Sequence, residues 1–349
     1  MDLGFFKNRK VLITGHTGFK GSWLTKVLLM AGADVTGYAL EPPTEPCLFD
    51  EAGIRGLLGE KSVTGDIRDL PRLLQVFQSF QPEFVIHMAA QPLVRASYEA
   101  PVLTYETNVM GTVNLLECVR RTPSVKSVLN VTTDKVYENF EWERGYKEDD
   151  RLDGYDPYSN SKSCSELVTH SYKRSFLDDT GVAVSTARAG NVIGGGDYAK
   201  DRIIPDCIRA AVKGEEILIR NPYSVRPFQH VLEPLSAYLL ILQKQYEDPA
   251  LAGYYNVGPS DKDAVTAGRL ADIFCEKWGG GQTWKNLYAG GPHEAGYLKL
   301  DSAKIRETLS WEPGWDISNA VEKTVEYVKA GDKARCMEEQ IRVFFDFRG

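Results

Sequence analysis

The chain has 349 residues, 41 lysines and arginines against 48 aspartates and glutamates, a net charge of −7, and 43% hydrophobic residues. That length suits one large α/β unit with an appended lobe, or two domains, and the apolar share supports a sizeable core. A mild acidic balance with no basic block argues against nucleic-acid and anionic-membrane partners, while leaving room for local basic pockets around a phosphorylated ligand.

Met1 to Arg9 carries no apolar core of signal-peptide length, and the first apolar run is Val11-Leu12-Ile13. Strands are predicted over Lys10–Thr14, Asp34–Tyr38, Ser62–Gly65, Phe84–Met88, Ser127–Thr132 and Ala183–Ala187. Between them lie helical patterns near Trp23–Met30, Leu70–Phe80, Val102–Arg121 and Tyr158–Phe176. Several strands are apolar at consecutive positions, as in Phe84-Val85-Ile86, which suits burial on both faces. Alternating βα units of this kind predict an α/β fold with a doubly wound parallel sheet. After Arg188, turn clusters such as Gly194-Gly195-Gly196 and Gly279-Gly280-Gly281 separate shorter elements, read as a smaller α/β lobe. Gln229 to Gly258 again reads as a helix then a strand, Tyr254–Val257, so the chain is expected to revisit the first unit there. The expected division is residues 1–188, with 229–258 returning to them, against a lobe built from 189–228 and 259–349. The longest uncharged apolar run, Ala237 to Leu242, is far below the ~20 residues of a membrane span. Cys47, Cys118, Cys164, Cys207, Cys275 and Cys336 form no CxxC pair, so no metal site and reduced thiols in the cytoplasm are expected.

The first strand runs into Thr14-Gly15-His16-Thr17-Gly18-Phe19-Lys20-Gly21 and then a helix. Glycines permit a tight turn and close backbone approach to a pyrophosphate, and the helix N-terminus offers free N–H groups to that anion, the Rossmann arrangement. Lys20 either neutralises a cofactor phosphate or lies on the exposed side of the first turn. After the second strand no Arg or Lys follows closely, which favours NAD over NADP, with Glu41 the nearest acid. Tyr158 and Lys162 stand at i and i+4, one helical turn apart; an ammonium beside a phenol lowers the tyrosine pKa and prepares a general base. Val131-Thr132-Thr133-Asp134-Lys135 ends the fifth strand, where parallel sheets bind ligands. Thr133 is the candidate to orient the reacting oxygen and Thr132 its competitor, since neighbours on a strand point oppositely. Asp134 and Lys135 read either as a surface ion pair or as an additional acid and base.

The G-x-x-G-x-x-G spacing, Gly65-Asp66-Ile67, His87-Met88-Ala89-Ala90-Gln91, Thr107-Asn108 and the Tyr158/Lys162 pair together resemble the extended short-chain dehydrogenase/reductase family. The resemblance implies NAD bound by Gly15, Thr17, Gly18, Phe19, Lys20, Gly21, Asp66, Ile67, Ala89, Ala90, Gln91, Asn108, Tyr158 and Lys162. It implies Thr133, Asp134, Lys135, Tyr158 and Lys162 as the catalytic set. Within the family, Asp134-Lys135 is similar to the acid/base pair of nucleotide-sugar 4,6-dehydratases; the Asp-Lys form occurs in the CDP-glucose enzymes and in some acting on UDP-N-acetylglucosamine. Substrate contacts are implied for Gln91, Asn191, Arg202, Arg226 and His230. Near Gly291–Leu298 a phosphate-binding Arg common in relatives is absent, with His293, Glu294, Tyr297 and Lys299 there instead. The implied activity is elimination of water from CDP-glucose to the 4-keto-6-deoxy sugar. Another nucleotide-sugar dehydratase, a 4-epimerase and a non-catalytic NAD-binding regulator are the alternatives. Relatives dimerise through the helices represented by Val102–Arg121 and Tyr158–Phe176, so a homodimer is implied.

Overall fold

A computed structural model describes residues 2–287 and 297–346. The N-terminal half runs β1 (Lys10–Thr14), α1 (Phe19–Met30), β2 (Asp34–Ala39), the short α2 (Leu48–Glu51) and α3 (Ile54–Leu58), β3 (Ser62–Thr64) and α4 (Leu70–Phe80). It continues through β4 (Phe84–His87), α5 (Val94–Glu99), α6 (Pro101–Tyr105), α7 (Gly111–Arg120), β5 (Ser127–Thr133), α8 (Pro157–Tyr172) and β6 (Ala183–Ala189). Then come β7 (Val192–Ile193), α9 (Ile203–Val212), β8 (Ile217–Ile219), β9 (Val225–Pro227), β10 (Gln229–His230), α10 (Leu232–Glu247) and β11 (Tyr254–Val257). The remainder is β12 (Ala264–Thr266), α11 (Ala267–Trp278), β13 (Trp284–Asn286), α12 (Ala303–Leu309), α13 (Ile317–Lys329) and α14 (Lys333–Phe345).

Seven parallel strands form one sheet in the order β11-β6-β5-β4-β1-β2-β3. The chain starts at the centre, winds outward to β3, returns to β4 beside β1 and winds out the other way, so the switch point lies between β1 and β4. Consecutive apolar residues serve opposite faces. Val11 and Ile13 pack with Trp23, Leu24 and the apolar side of α10, whereas Leu12 between them packs with Leu73, Phe77 and Leu115. The strand β11 adds to the far edge beside β6, and α10, which precedes it, lies on the first of these faces. A separate core gathers Ile204, Cys207, Leu270, Phe274 and Val321 from α9, α11 and α13.

Two helices depart from the expected continuous spans. The first is interrupted by a π-helical turn over Glu106–Met110 between α6 and α7, and α8 ends in another over Lys173–Leu177. Each inserts an extra residue and re-aims the side chains on its turn.

Candidate active site

The glycine turn is closed by its own packing. A Cβ added to Gly15 would lie 2.7 Å from the Ala89 nitrogen, and one on Gly21 would lie 2.0 Å from the Gly15 carbonyl oxygen. The Thr14 hydroxyl accepts the Met88 and Ala89 N–H groups at 3.2 Å, which brings the ends of β1 and β4 together. Gly18 is the exception: a Cβ there would meet only the Gly15 oxygen, at 3.5 Å, so its outer face is open. Gly18 also precedes α1 with no side-chain cap, leaving the first N–H groups of a twelve-residue helix without side-chain acceptors. An open glycine face beside uncapped helix donors fits a dinucleotide pyrophosphate.

Around this cradle the predicted contacts divide. Thr17 donates to the Leu40 carbonyl at 2.8 Å. Phe19 is turned toward Gly194, whose added Cβ would sit 3.2 Å from the ring. Asp66 has both carboxylate oxygens engaged by Arg68, the shortest contact being 2.7 Å, and Ile67 is buried against Gly111. Ala89 and Ala90 are half-buried beyond β4. Asn108, expected to touch the cofactor, is instead buried and spent internally. Its oxygen accepts the Gln91 N–H at 2.8 Å, and its nitrogen donates to the Gln91 carbonyl at 3.1 Å and to Ser161 at 2.9 Å. The Gln91 amide is committed likewise, to Leu93 and Thr104. These two residues tie the β4 loop to α8. Glu41 stands past the end of β2 and does meet a cation, Arg55, at 3.3 Å, which sequence proximity does not reveal. Arg55 is shared with Asp50 at 2.6 Å, so two carboxylates outweigh it and the corner stays acidic. Sequence reading also missed His16, whose ring fills the space over Gly37 and meets Ser62 at 2.8 Å. Burial, with the Arg55 charge, pushes this imidazole down to about 4, so it is neutral near pH 7.

The second half of the site stands on β5 and α8. Asp156 caps α8 by accepting the Ser159 N–H at 3.0 Å, and Pro157 opens the first turn, which sets Tyr158 at its start. Strand alternation separates the two threonines. The Thr133 hydroxyl donates to Asp134 Oδ1 at 2.9 Å and faces the Tyr158 phenol, while Thr132 turns to Glu166 on the other side. Tyr158, Thr133 and Asp134 therefore form a continuous chain. Asp134 is 1% exposed, and its Oδ2 has no protein hydrogen-bond partner. Burial raises its carboxyl above the usual range, against the pull of Lys135, Arg226 and Lys20. It is no surface ion pair.

The expected acidification of Tyr158 by Lys162 is not found in the protein itself. Burial pushes the phenol up to about 12, opposed by the Thr133 hydrogen bond and by the Arg202 charge. Lys162 is 5% exposed and donates to the Val131 carbonyl at 3.1 Å; burial pushes it down to about 8. Lys20 does not lie on the exposed side of the first helical turn. It turns inward, 3.4 Å from the Tyr238 hydroxyl, and burial and the Arg202 charge push it down to about 8. Arg202 is anchored to Asp197 at 3.0 Å and Arg226 is 8% exposed on β9. A Cβ on Gly190 would lie 2.8 Å from Pro227 and 3.3 Å from Asp134 Oδ2, so the passage from β6 to β7, where Asn191 sits, closes over the acid. Five cations, Lys20, Lys135, Lys162, Arg202 and Arg226, thus act on Asp134, on Tyr158 or on one another. Such a centre fits a sugar diphosphate. His230 is not part of it. Its ring is fully buried between Trp23 and Trp315, with centroids 5.8 and 4.9 Å away, and burial pushes it down to about 3. The strand turn at β10 points it into the core. Tyr297 and Lys299 are described, with Lys299 2.8 Å from Asp261; His293 and Glu294 lie outside the described residues.

Residues 12–324 match the family described as GDP-mannose 4,6 dehydratase. The chain belongs to this family. It is 48% identical over 336 residues to a CDP-glucose 4,6-dehydratase of Salmonella typhimurium, a match covering 95% of this chain and 93% of that protein. Among solved structures, the dTDP-glucose 4,6-dehydratase of Bacillus anthracis in complex with NAD superposes with a TM-score of 0.77 at 21% identity, covering 94% of this chain and 99% of that one. The UDP-glucose 4-epimerase of Thermus thermophilus, also with NAD, gives 0.78 at 24% identity over 92% and 99%. These two likenesses are of fold, which dehydratase and epimerase share. No described helix is long and apolar enough to cross a membrane, and no group of metal-ligating side chains occurs among the described residues.

Proposed function

We propose that the chain is an NAD-dependent 4,6-dehydratase acting on CDP-glucose. The observation that carries the reading is Asp134: a buried carboxyl hydrogen-bonded to the hydroxyl that also meets Tyr158. Oxidation at C4 or epimerisation needs only Tyr158, Thr133 and Lys162; an acid placed one residue further is what loss of water adds. The identity to the Salmonella enzyme supports CDP-glucose as the sugar nucleotide.

The open face of Gly18, the α1 N-terminus and the acidic corner at Glu41 would hold NAD. When bound, NAD supplies the acceptor for the hydride leaving C4, the donor of the hydride arriving at C6 and, in its oxidised form, a positive ring. Tyr158 takes the proton of the 4-hydroxyl, with Thr133 orienting that oxygen. The 4-ketone so formed acidifies C5–H. Lys135 receives the C5 proton, and Asp134, whose burial favours the protonated form, gives a proton to the departing 6-hydroxyl, which leaves as water. After C6 is reduced, Lys135 returns the C5 proton, and the proton that Tyr158 took from the 4-hydroxyl replaces the one Asp134 gave up, so both groups are reset. Product is the 4-keto-6-deoxy sugar, one water lighter than the substrate and at the same overall oxidation level. Lys20, Arg202 and Arg226 neutralise the diphosphate. The six free thiols suit the cytoplasm. Val102, Leu103, Met110, Leu167 and Phe176 leave an apolar outer face on α6–α8, which supports a homodimer.

Incubating the purified chain and NAD with CDP-glucose should give a product lighter by one water, with no net build-up of reduced cofactor. Turnover of UDP-N-acetylglucosamine or dTDP-glucose in preference to CDP-glucose would overturn the substrate. A C4 epimer, or NAD binding with no turnover at all, would overturn the reaction.

A further inference from the structure

The helix α8 sets Tyr158, Lys162, Glu166 and His170 at four-residue intervals, hence along one face. The first two belong to the reaction centre. Glu166 is a turn further on, fully buried, and has no part in the chemistry proposed above. Its carboxylate is nonetheless densely engaged. Oε1 accepts the Thr132 hydroxyl. Oε2 accepts the Thr186 hydroxyl at 2.7 Å and the Arg188 guanidinium at 3.0 Å, with His170 Nε2 at 3.3 Å. One side chain therefore fastens α8 to β5 and to β6, and on β5 it grips the residue next to Thr133. Arg188, also fully buried, is held in turn by the Tyr137 hydroxyl at 2.8 Å and the Glu148 carbonyl at 2.9 Å. Packing alone does not explain such a pair, because two buried charges seat a helix no better than apolar residues of similar volume.

We propose that Glu166 is a positioning residue for the reaction: through Thr132, Thr186 and Arg188 it sets the register of α8 against β5 that joins Tyr158 to Thr133, and it supplies the negative charge facing the Lys162 ammonium. The role rests on the dehydratase reading of the same site. Burial would raise the Glu166 carboxyl, but Arg188, His170 and Thr132 pull it down to about 2, so it stays ionised at neutral pH. Lys162 feels burial downward and Glu166 upward. Besides Glu166, Lys162 acts on Lys20 of α1 and on His87 of β4, the latter held neutral by burial at about 3. Glu166 is faced by Arg188 of β6, by His170 on its own helix, by Tyr137 after β5 and by Tyr254 of β11. Removing the carboxylate charge leaves Lys162 with no compensating anion, and it should deprotonate earlier.

The test compares Glu166→Gln, Glu166→Asp and the double variant Glu166→Gln/Arg188→Gln, the last leaving no orphaned buried charge should the single variant fail to fold. In each folded chain the Lys162 titration is followed by NMR of labelled lysines, assigned through Lys162→Met, alongside the pH profile of kcat on CDP-glucose. Loss of the carboxylate should lower the Lys162 midpoint by about one pH unit. The alkaline limb of kcat should move by the same amount while KM stays within about twofold, and Glu166→Asp should restore the limb. A merely structural Glu166 would depress kcat alike at every pH, with the Lys162 midpoint unmoved, and that result would overturn the proposal. A wild-type chain inert toward nucleotide sugars would defeat the dehydratase reading instead, and the Lys162 titration would still decide whether Glu166 acts on it.

Discussion

At the scale of single residues, chemistry here follows from which way a side chain is aimed. Thr132 and Thr133 are the same residue type, one peptide apart, and pleating sends one to Glu166 and the other to Tyr158 and Asp134. The i, i+4 rule likewise makes Tyr158 and Lys162 readable from spacing alone. His230 shows the limit: a histidine next to a predicted binding arginine looks like a ligand, yet the β10 turn buries it between Trp23 and Trp315. The Asn108 amide is spent on the Gln91 backbone and Ser161, and the Gln91 amide on Leu93 and Thr104, because a buried or half-buried amide must satisfy its own donors and acceptors. Asp134 permits a sharp experiment. Asn keeps the shape and the hydrogen bond to Thr133 but cannot donate a proton from oxygen. Asp134→Asn is expected to retain C4 oxidation, seen as reduced cofactor on mixing with CDP-glucose, and to lose water elimination by about 10²- to 10⁴-fold. Unchanged overall turnover would remove Asp134 from the acid role.

At the scale of elements, the strands were the easiest to read, since burial on both faces makes them continuous apolar runs. Helix ends and interruptions were not. The π-helical turn at Glu106–Met110 has no clear marker in its sequence, and it is this turn that carries Asn108 to the β4 loop and Ser161. The loop after β7 is set by close packing that only the folded chain reveals. A Cβ on Gly195 would sit 2.0 Å from Tyr327 Cγ, and Trp23 donates to the Gly195 carbonyl at 3.0 Å. This loop leads through Asp197 to Arg202. Gly195→Ala should therefore cost about 1–3 kcal/mol of stability, read as a fall of several degrees in Tm, and should raise KM for the nucleotide sugar more than it lowers kcat. Equal Tm for the variant and the parent chain would show that the loop yields without strain.

At the scale of the whole molecule, net charge and local charge have opposite signs. A chain of net charge −7 concentrates Lys20, Lys135, Lys162, Arg202 and Arg226 at one centre, which suits capture of an anionic substrate by an otherwise acidic surface. The apolar face of α6–α8 is a second large-scale feature, with Leu167 53% and Met110 50% exposed. If it joins two copies, Leu167→Arg should convert a dimer to a monomer in sedimentation while leaving the far-ultraviolet spectrum unchanged; a parent chain that sediments as a monomer would refute the dimer. The C-terminal helix α14 returns to the first unit, where Glu338 meets the buried Lys26 of α1 at 2.6 Å. Periodicity, glycine spacing and the order of motifs sufficed for the parallel α/β sheet, the family resemblance and the Tyr158–Lys162 pair, because each is a local pattern written along the chain. The inward turn of Lys20, the filling of the nucleotide corner by His16, the cation brought to Glu41 and the Glu166 clamp were decided only by the tertiary structure. Each depends on residues meeting in space rather than along the chain; the Glu41–Arg55 contact is exposed, and the others lie where desolvation and the few partners within reach fix both orientation and charge.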